Sequence, residues 1–312
     1  MTLPTLGIIG AGKIGETLAR LCYARGYDVR AVFSRRKSSA ARVAGLVNAR
    51  VVQHAAEVVR ECDLTLITVP DDALKVMSDM IAHDLPKRTE RDCGVVHTSG
   101  VHHAGVLSSL LNVNIMVGGF HPAYPVASAD SAVADLPLRG VTFAVEANNP
   151  LMLRWLDGIA AALNGRALHV SAETKVIYHA ALAIASNYTV TLYALAQQLL
   201  ESIGADRATA SAALDALVGG TVENLRLQGI PDALTGALSR GDVGTVAAHV
   251  DALQRISADV LYLYIALARQ TYPLLRLRGV DVEAFERLFG EKKAGNKDAL
   301  NRPRYSEDEG ES

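Results

Sequence analysis

Short apolar runs and amphipathic stretches alternate along the first half of the chain. The apolar runs are as short as buried strands, and the stretches between them repeat their apolar positions at helical spacing. The predicted strands are residues 5–9, 28–33, 64–69, 94–97, 115–118, 141–145 and 167–170. The predicted helices are residues 14–25, 38–44, 72–83, 104–111 and 151–163. This alternation predicts a doubly wound α/β domain with a mostly parallel sheet and helices on both faces.

Beyond residue 171 the pattern becomes rich in Ala and Leu, with little of the alternation that is typical of strands. It predicts three long helices, residues 172–203, 207–227 and 242–278. Glycines at 204, 229 and 279 stand where helices should stop, as Gly26 does after the first helix. Pro273 should kink or end the helix that contains it.

The change of pattern divides the chain into three parts. Residues 1–170 are predicted to form the α/β domain, and residues 171–290 an all-helical domain for substrate binding and dimerisation. Residues 291–312 lose apolar periodicity and end in a run of acidic residues, so they are predicted to be a disordered tail.

A glycine motif joins the first predicted strand to the first predicted helix. Gly10 permits a tight turn, Gly12 lets the backbone approach a phosphate closely, and Gly15 lets the helix pack on the strand. The backbone N–H groups that open the helix can then face a pyrophosphate. The motif predicts a dinucleotide-binding Rossmann-type domain, with the cofactor held by Gly10, Ala11, Gly12, Lys13, Ile14 and Gly15.

The turn after the second predicted strand carries no carboxylate, and reads Ser34, Arg35, Arg36 and Lys37. A carboxylate at this place would accept from the ribose 2′-hydroxyl of NAD, whereas Arg and Ser accommodate a 2′-phosphate. An exposed basic turn without a ligand would have the same composition. Its position at the strand end favours NADP(H), with Ser34, Arg35 and Arg36 as the contacts.

Two further strand ends should border the same cleft, because ligands bind at the carboxyl ends of parallel strands. Val69, Pro70 and Asp71 are predicted to lie on the nicotinamide side. After the next strand, Thr98 and Ser99 are predicted to contact the cofactor and Gly100 the substrate. Ordinary turn chemistry would use the same residue types.

The start of the first long helix combines polar residues with an otherwise apolar sequence. Lys175, His179 and Ser186 share one helical face, and Asn187 lies about 120° from Lys175. Polar groups are buried only when they are hydrogen-bonded or needed, so Lys175, His179 and Asn187 are catalytic candidates and Ser186 a substrate contact. Lys175 and Asn187 would be about 18 Å apart on a straight helix, so they cannot both touch one carbonyl. The alternative is a solvated lysine with the other side chains bonded inside the core.

Three more polar residues are candidate substrate contacts. His121 follows the strand at 115–118 and would lie near the cleft. Thr235 and Arg240 lie in a polar turn between helices, where Arg240 could hold a carboxylate through two parallel hydrogen bonds. The segment from Arg240 to Asp242 could equally be a C-cap followed by an N-cap.

Composition limits the classes of function that remain. The chain has 312 residues, a formal charge of −2 and no apolar run of the length needed to cross a bilayer, so neither nucleic acid nor a membrane is expected as a partner. The first strand begins by residue 5, so we expect no signal peptide. Three widely spaced cysteines, Cys22, Cys62 and Cys93, suit reduced buried thiols in a cytoplasmic protein better than disulfides or a metal site.

Seven motifs follow one another along the chain: the glycine motif, Val69-Pro-Asp-Asp72, His97-Thr-Ser-Gly100, His121-Pro122, Lys175-x-x-Tyr-His-Ala-Ala181, Ser186-Asn187, and Leu234-Thr-Gly with Arg240-Gly-Asp. This series resembles bacterial Rossmann-like proteins with a C-terminal helical domain of long-unassigned function. That group is distantly related to β-hydroxyacid dehydrogenases, ketopantoate reductases, prephenate dehydrogenases and pyrroline-carboxylate reductases. The resemblance covers residues 5–290. It implies an NADP-dependent oxidoreductase with a helical domain like the C-terminal domain of 6-phosphogluconate dehydrogenase.

The sequence departs from the pattern of these relatives in two places. β-Hydroxyacid dehydrogenases and ketopantoate reductases place Asn four residues after the catalytic Lys, and here that residue is His179. In the closer group a Pro usually follows a Leu-Thr-Gly sequence. In this chain Leu-Thr-Gly occupies residues 234–236, and the residue that follows is Ala237. The first departure leaves open whether Lys175 or His179 is the general acid.

Our hypothesis from the sequence is an NADPH-dependent reductase of a small 2-oxo acid, with ketopantoate as the leading substrate. Prephenate-like or pyrroline-5-carboxylate-like substrates are alternatives, and His121-Pro122 favours the former. A non-catalytic NADP(H) sensor is the alternative from another class. The long apolar helices also favour a homodimer.

Overall fold

The fold is described by a computed structural model, which covers residues 3–85, 92–126 and 140–291. Within these residues, eight strands form one sheet in the order β3-β2-β1-β4-β5-β6-β7-β8. The strands are β1 Leu6–Ile9, β2 Val29–Phe33, β3 Arg50–Val51, β4 Leu64–Ile67, β5 Gly94–His97, β6 Met116–Pro122, β7 Thr142–Ala147 and β8 Arg166–His169.

The sheet is parallel apart from the β6–β7 pair, which is antiparallel. Every residue of β1, β4 and β5 is buried. Burial on both faces explains why these strands are continuous apolar runs in the sequence. The order reverses between β1 and β4, and this reversal creates the crevice in which open α/β sheets bind ligands.

Helices cover both faces of the sheet. Successive residues of β1 enter different cores: Ile8 packs with α1, α2 and α5, and Ile9 packs with α3, α4 and a 3-10 segment at Ala104–Val113. These helices, with the one that follows β8, are α1 Lys13–Ala24, α2 Lys37–Leu46, α3 Ala55–Glu61, α4 Leu74–Asp84, α5 Pro150–Ala162 and α6 Ala172–Ala185.

The rest of the described chain is helical. Its helices are α7 Asn187–Ser202, α8 Arg207–Gln228, α9 Val243–Ile256, α10 Ala258–Leu277 and α11 Glu283–Glu291. A separate core, which includes Val246, Val250, Leu275 and Phe285, holds α9, α10 and α11. The predicted fold class, a Rossmann-type α/β domain followed by a helical region, is therefore confirmed.

The chain divides into two compact units, Met1–Thr189 and Val190–Ser312. Helix α6 belongs to the first unit, although it was predicted to open the helical domain. The functional boundary at residue 170 stays a prediction. The predicted disordered tail, residues 292–312, lies outside the described residues.

Two of the predicted long helices are interrupted at a serine. The helix predicted at 172–203 ends at Ala185 and restarts at Asn187, with Ser186 as the C-cap. The helix predicted at 242–278 breaks at Ser257, whose hydroxyl accepts a hydrogen bond from the Val260 N–H as the N-cap of α10. Serine favours caps because its hydroxyl competes for backbone groups. The helical spacing of apolar residues continues on both sides of each serine, so the sequence pattern did not reveal these breaks.

Other boundaries also differ from prediction. Pro273 lies inside α10 and does not end it, and the kink that was predicted as the other outcome stays a prediction. The short elements β3 and α3, and the C-terminal α11, were not predicted. By contrast, Gly204, Gly229 and Gly279 have positive φ where the helices stop, as predicted, and so has Gly26.

Cys22, Cys62 and Cys93 are all buried and form no disulfide with one another. No group of three or more His, Cys, Asp or Glu side chains among the described residues is arranged to hold a metal ion. In the same part of the chain, no helix combines the length and the apolar character that crossing a membrane requires.

Candidate active site

The candidate site is located by a row of paired residues that runs across the sheet. The row lies at the carboxyl ends of the parallel strands, which we call the carboxyl edge of the sheet. Strand register pairs Phe33 with Ile9, Ile9 with Ile67, Ile67 with His97, His97 with Gly119 and Gly119 with Glu146. Adjacent strands are about 4.8 Å apart, so the segments that follow Phe33, Ile9, Ile67 and His97 share one edge. Strand β7 is antiparallel to β6, so the chain that follows Glu146 runs away from this edge.

The glycine turn, residues 10–15, follows β1 and requires two of its glycines for steric reasons. Gly10 has φ +106°, and a Cβ there would lie 2.8 Å from the backbone carbonyl of Thr68. A Cβ on Gly15 would lie 2.1 Å from the Gly10 oxygen. The hydroxyl of Thr68 also donates to the Gly10 oxygen at 2.6 Å. Thr68, the residue directly after β4, therefore holds the turn against the start of α1.

Gly12 has a different reason to be glycine, because a Cβ there would meet no atom within 4 Å. It is the N-cap of α1, and no side chain caps the helix. Lys13 is exposed, Ile14 half-buried and Ala11 buried. The first N–H groups of α1 therefore open onto free space, an arrangement that fits a pyrophosphate.

The basic turn, residues 34–37, follows β2 at the same edge. Ser34 is half-buried, and Arg35, Arg36 and Lys37 are exposed. Arg36 is the N-cap of α2, again without a side-chain cap. Three cations beside an open helix N-terminus fit the extra phosphate of NADP(H).

The turn after β4 brings a carboxylate to this edge. Val69 is half-buried, Pro70 is exposed, and Asp71 begins a 3-10 turn over Asp71–Ala73. The Asp71 charge acts on the protonation of both His121 and Lys175.

The turn after β5 is partly a structural element. The Ser99 hydroxyl accepts hydrogen bonds from the N–H groups of Val101 and His102, at 3.3 and 3.1 Å. This is the ordinary turn chemistry named as the alternative for Ser99. The Thr98 N–H donates to the Ile67 carbonyl at 3.2 Å, which leaves the half-buried Thr98 side chain at the carboxyl edge.

Lys175 is the only residue of α6 that is buried, and its side chain has no exposed surface. Its Nζ lies where a side chain of Gly119 would be, since a Cβ built on Gly119 would be 2.6 Å from it. The Lys175 socket is formed by Gly119 and its paired neighbours His97 and Glu146. Paired residues point to the same face, so the missing side chain of Gly119 makes the space for the amine. The alternative of a solvated Lys175 is wrong.

Glu146 holds the Lys175 amine in this socket. Its Oε2 accepts a hydrogen bond from Lys175 Nζ at 3.5 Å and another from the Ala104 N–H at 2.9 Å. Burial lowers the pKa of Lys175, while the charge and hydrogen bond of Glu146 raise it. These two effects oppose each other, as expected for a buried cation beside one carboxylate.

His97 completes the socket from β5. Its Nδ1 accepts a hydrogen bond from the Ser99 N–H at 3.1 Å. Its Nε2 is buried and has no hydrogen-bond partner at normal distance in the described part of the chain. Burial, and secondarily Lys175, lowers the pKa of His97 to about 3, so this imidazole is neutral at pH 7.

His121 lies next to the socket on β6. Its Nδ1 is 2.9 Å from the Tyr178 hydroxyl, and the two groups share a hydrogen bond. A Cβ on Gly100 would lie 3.0 Å from His121 Nε2 and 2.5 Å from Cδ2 of His179, so Gly100 gives both rings room. Burial lowers the pKa of His121 to about 4.

The structure thus brings together His121, Gly100, Lys175 and His179, four of the residues predicted from sequence. Helix α6 ends at Ala185 with Ser186 as its C-cap, and Asn187 begins α7, so the single helix that was predicted to carry Ser186 and Asn187 together with Lys175 and His179 is interrupted. The face that Ser186 was predicted to share with Lys175 stays a prediction, because the Ser186 N–H still donates to the Leu182 carbonyl as a residue of the helix would. The structure leaves the roles of these residues as predictions.

Thr235 and Arg240 lie in the second unit, and both are exposed. Gly241 has φ +70°, and the Asp242 carboxylate caps α9 by accepting from the Thr245 N–H at 3.0 Å. The cap interpretation is therefore correct for Gly241 and Asp242. A substrate contact of Thr235 and Arg240 stays a prediction.

Four site residues were not predicted: His97, Gly119, Tyr178 and Glu146. A glycine inside a strand marks a close approach of another group, which could have indicated Gly119. A carboxylate directly after the strand predicted at 141–145 was the signal for Glu146, which the structure places inside β7. Nothing local distinguished His97 or Tyr178, because their roles come from neighbours distant in sequence.

Two family models match successive parts of the chain. Residues 5–89 match the family described as NADP oxidoreductase, coenzyme F420-dependent. Residues 141–271 match a domain of unknown function, DUF2520. The resemblance inferred from the motifs is confirmed to this extent, and a relation to ketopantoate reductases stays a prediction. No protein of curated function matches the chain.

Solved structures share the fold at low sequence identity. A protein of Bacteroides fragilis described as an NADP oxidoreductase is 24% identical, with a TM-score of 0.65, and the match covers 86% of this chain and 97% of that one. A pyrroline-5-carboxylate reductase of Coxiella burnetii is 15% identical, with a TM-score of 0.58 and coverage of 94% and 98%. A reductive aminase of Aspergillus terreus, solved with NADPH, is 15% identical, with a TM-score of 0.58 and coverage of 92% and 100%. The family description and these structures agree with the prediction of NADP(H).

Proposed function

We propose that this chain is an NADPH-dependent reductase that reduces a C=O or C=N bond of a small carboxylate substrate. The observation that carries the proposal is the buried Lys175 amine at the carboxyl edge of β5 and β6, the edge that also holds the glycine turn. Two strand spacings, about 10 Å, separate Ile9 from His97 along the row, a distance that one dinucleotide can span.

The cofactor would be held by the residues that fit it. The glycine turn would receive the pyrophosphate, and Ser34, Arg35 and Arg36 the 2′-phosphate. Val69, Pro70, Asp71, Thr98 and Ser99 would border the nicotinamide. NADPH supplies a hydride when it is bound.

Lys175 would act as the general acid. Its ammonium can donate a proton to the oxygen or nitrogen that gains electron density as the double bond is reduced, a role that contributes roughly 10²–10⁴-fold in rate. His179, one helical turn further and beside His121, is the alternative donor. His121, fixed by Tyr178, would orient the substrate above Gly100.

The buried position of Lys175 favours an enzyme over an NADP(H) sensor. A sensor needs no amine taken out of water, and burial of a lysine disfavours its charged form. Such a lysine beside a cofactor site is typical of proton transfer. Loss of function in Lys175 variants that still bind NADPH would separate the two hypotheses.

A small 2-oxo acid, with ketopantoate first, remains our leading substrate class, because an ammonium stabilises a developing alkoxide. Cyclic or open-chain imines are the second candidate, supported by the similarity to pyrroline-5-carboxylate reductases and a reductive aminase. Prephenate-like substrates have only the His121-Pro122 pair in their favour.

The test is to follow NADPH absorbance with a panel of 2-oxo acids, each assayed with and without an amine, and with pyrroline-5-carboxylate. Turnover of 2-oxo acids alone supports C=O reduction, and a requirement for the amine or the pyrroline supports C=N reduction. No NADPH oxidation with any compound, together with tight NADPH binding, would favour the sensor.

We also propose a homodimer. Large apolar side chains are exposed on α6 and on the helices of the second unit, among them Ile177 at 72%, Leu227 at 74% and Leu277 at 73%. Such surface is usually covered in an assembly. Light scattering of the purified protein should give twice the 33.2 kDa chain mass. A cytoplasmic location stays a prediction.

A further inference from the structure

Resting on the proposed function, we propose that Glu146 is the positioning residue that holds the Lys175 ammonium over Gly119 and keeps it charged for proton donation. Glu146 was not among the residues predicted from the sequence. It stands on β7, whereas Lys175 stands on α6, so the pair joins a strand and a helix across 29 residues of sequence.

The geometry gives Glu146 a fixed position. Its Oε2 accepts from the Ala104 N–H, the first residue of the 3-10 segment Ala104–Val113, and the same oxygen accepts from Lys175 Nζ. A helix N-terminus favours a negative charge at this place. The Ala104 N–H fixes the position of the Glu146 carboxylate, and the Lys175 amine binds to that carboxylate. The absence of a side chain on Gly119 leaves the space that the amine occupies.

The other titratable groups that act on Lys175 do not replace this carboxylate. His97 and His121 are neutral at pH 7, because burial lowers their pKa values to about 3 and about 4. Asp71 raises the pKa of Lys175 less than Glu146 does, and it is exposed. Water screens exposed charges, so Glu146 supplies most of the stabilisation of the buried ammonium.

Glu146→Gln is the decisive variant, because glutamine keeps the shape and can still accept from the Ala104 N–H. Only the charge is lost, so the pKa of Lys175 should fall. Reduction requires the protonated amine, and activity is lost as pH rises through that pKa. The alkaline limb of the kcat profile should therefore move to lower pH by about one unit or more.

Glu61→Gln is the matched control, since Glu61 pairs with Arg50 at the surface. Its kcat profile should coincide with that of the unsubstituted protein. If Glu146→Gln lowers kcat equally at every pH and leaves the limb in place, Glu146 is merely structural and the inference is overturned.

A second measurement does not depend on turnover. Titration of the Lys175 ¹³Cε resonance, assigned by its absence in Lys175→Met, should show the same downward shift in Glu146→Gln. A shifted resonance without reductase activity would support this inference and contradict the proposed function. If Lys175→Met loses reductase activity but the Lys175 resonance does not shift in Glu146→Gln, the result would support the proposed function and contradict this inference.

Discussion

The glycine turn and the Lys175 socket lie at the same edge of the sheet and are built in opposite ways. The glycine turn is contiguous in sequence, offers backbone N–H groups and opens onto free space at Gly12. The socket collects His97, Gly119, Glu146 and Lys175 from three strands and a helix, and encloses a side chain with no exposed surface.

The difference follows from what each region has to bind. A pyrophosphate is large and already charged, so a helix N-terminus with little steric obstruction is enough. A proton donor must be placed to within a fraction of an ångström and have a suitable pKa, which requires burial and a defined partner. Glycine therefore leaves space in both regions. In the glycine turn the space is for a ligand, and in the socket it is for the Lys175 side chain.

The strongest test of this contrast is Lys175→Met, which removes the proton donor and leaves the glycine turn intact. We expect kcat to fall by at least about a hundredfold, with NADPH affinity unchanged. Steady-state kinetics with the best substrate and a fluorescence titration with NADPH would measure the two effects. Lys75→Met is the control, because Lys75 is exposed and pairs with Asp79.

His179→Ala should be assayed beside Lys175→Met, since His179 is the alternative donor. At least one of the two variants should show the hundredfold loss. If both turn over the substrate at the normal rate, proton transfer occurs elsewhere and the socket has no catalytic role.

A second test fills the socket without changing any polar group. The methyl group of Gly119→Ala would lie 2.6 Å from Lys175 Nζ and would displace the amine. We expect kcat to fall by about tenfold to a hundredfold. Gly45→Ala adds a methyl group where no atom lies within 4 Å, and should leave kcat unchanged. Normal turnover by Gly119→Ala would show that the amine does not need this position.

The third test concerns the basic turn. We expect NADPH to bind at least about tenfold more tightly than NADH, because a guanidinium forms charge-assisted hydrogen bonds to the 2′-phosphate. Arg35→Ala should remove the preference. Arg30→Ala, in which the lost side chain belongs to β2 and pairs with Asp28, should retain it. Equal affinities of the unsubstituted protein for NADPH and NADH in a fluorescence titration would contradict the assignment.

The smallest expected effect comes from Gly12→Ala. Its methyl group meets no atom of the chain, so the melting temperature should not change. It would enter the space assigned to the phosphates, at a cost of about 1 kcal/mol, or about fivefold in Kd for NADPH. Gly158→Ala, equally free of contacts, should leave the Kd for NADPH unchanged, and its melting temperature should rise because Ala is the better helix former inside α5. An unchanged Kd in Gly12→Ala would place the pyrophosphate elsewhere.

Prediction from the sequence succeeded where the signal was local and periodic. The buried strands β1, β4 and β5 were found because burial on both faces produces continuous apolar runs. It failed at the two-residue β3, which is too short to show a period, and at Ser186 and Ser257, where a single polar residue interrupts an apolar helix.

The sequence by itself determined the alternation of the longer strands and helices in the first half of the chain, the glycine turn, the basic turn and the choice of Lys175 as a candidate. Each depends on residues within one or two turns of chain, where steric and charge requirements appear directly in the residue types. Tertiary structure alone decided that Lys175 is buried and that Glu146, His97 and Gly119 surround its amine. Those contacts depend on the register of β5, β6 and β7, which only the packing of the complete sheet fixes.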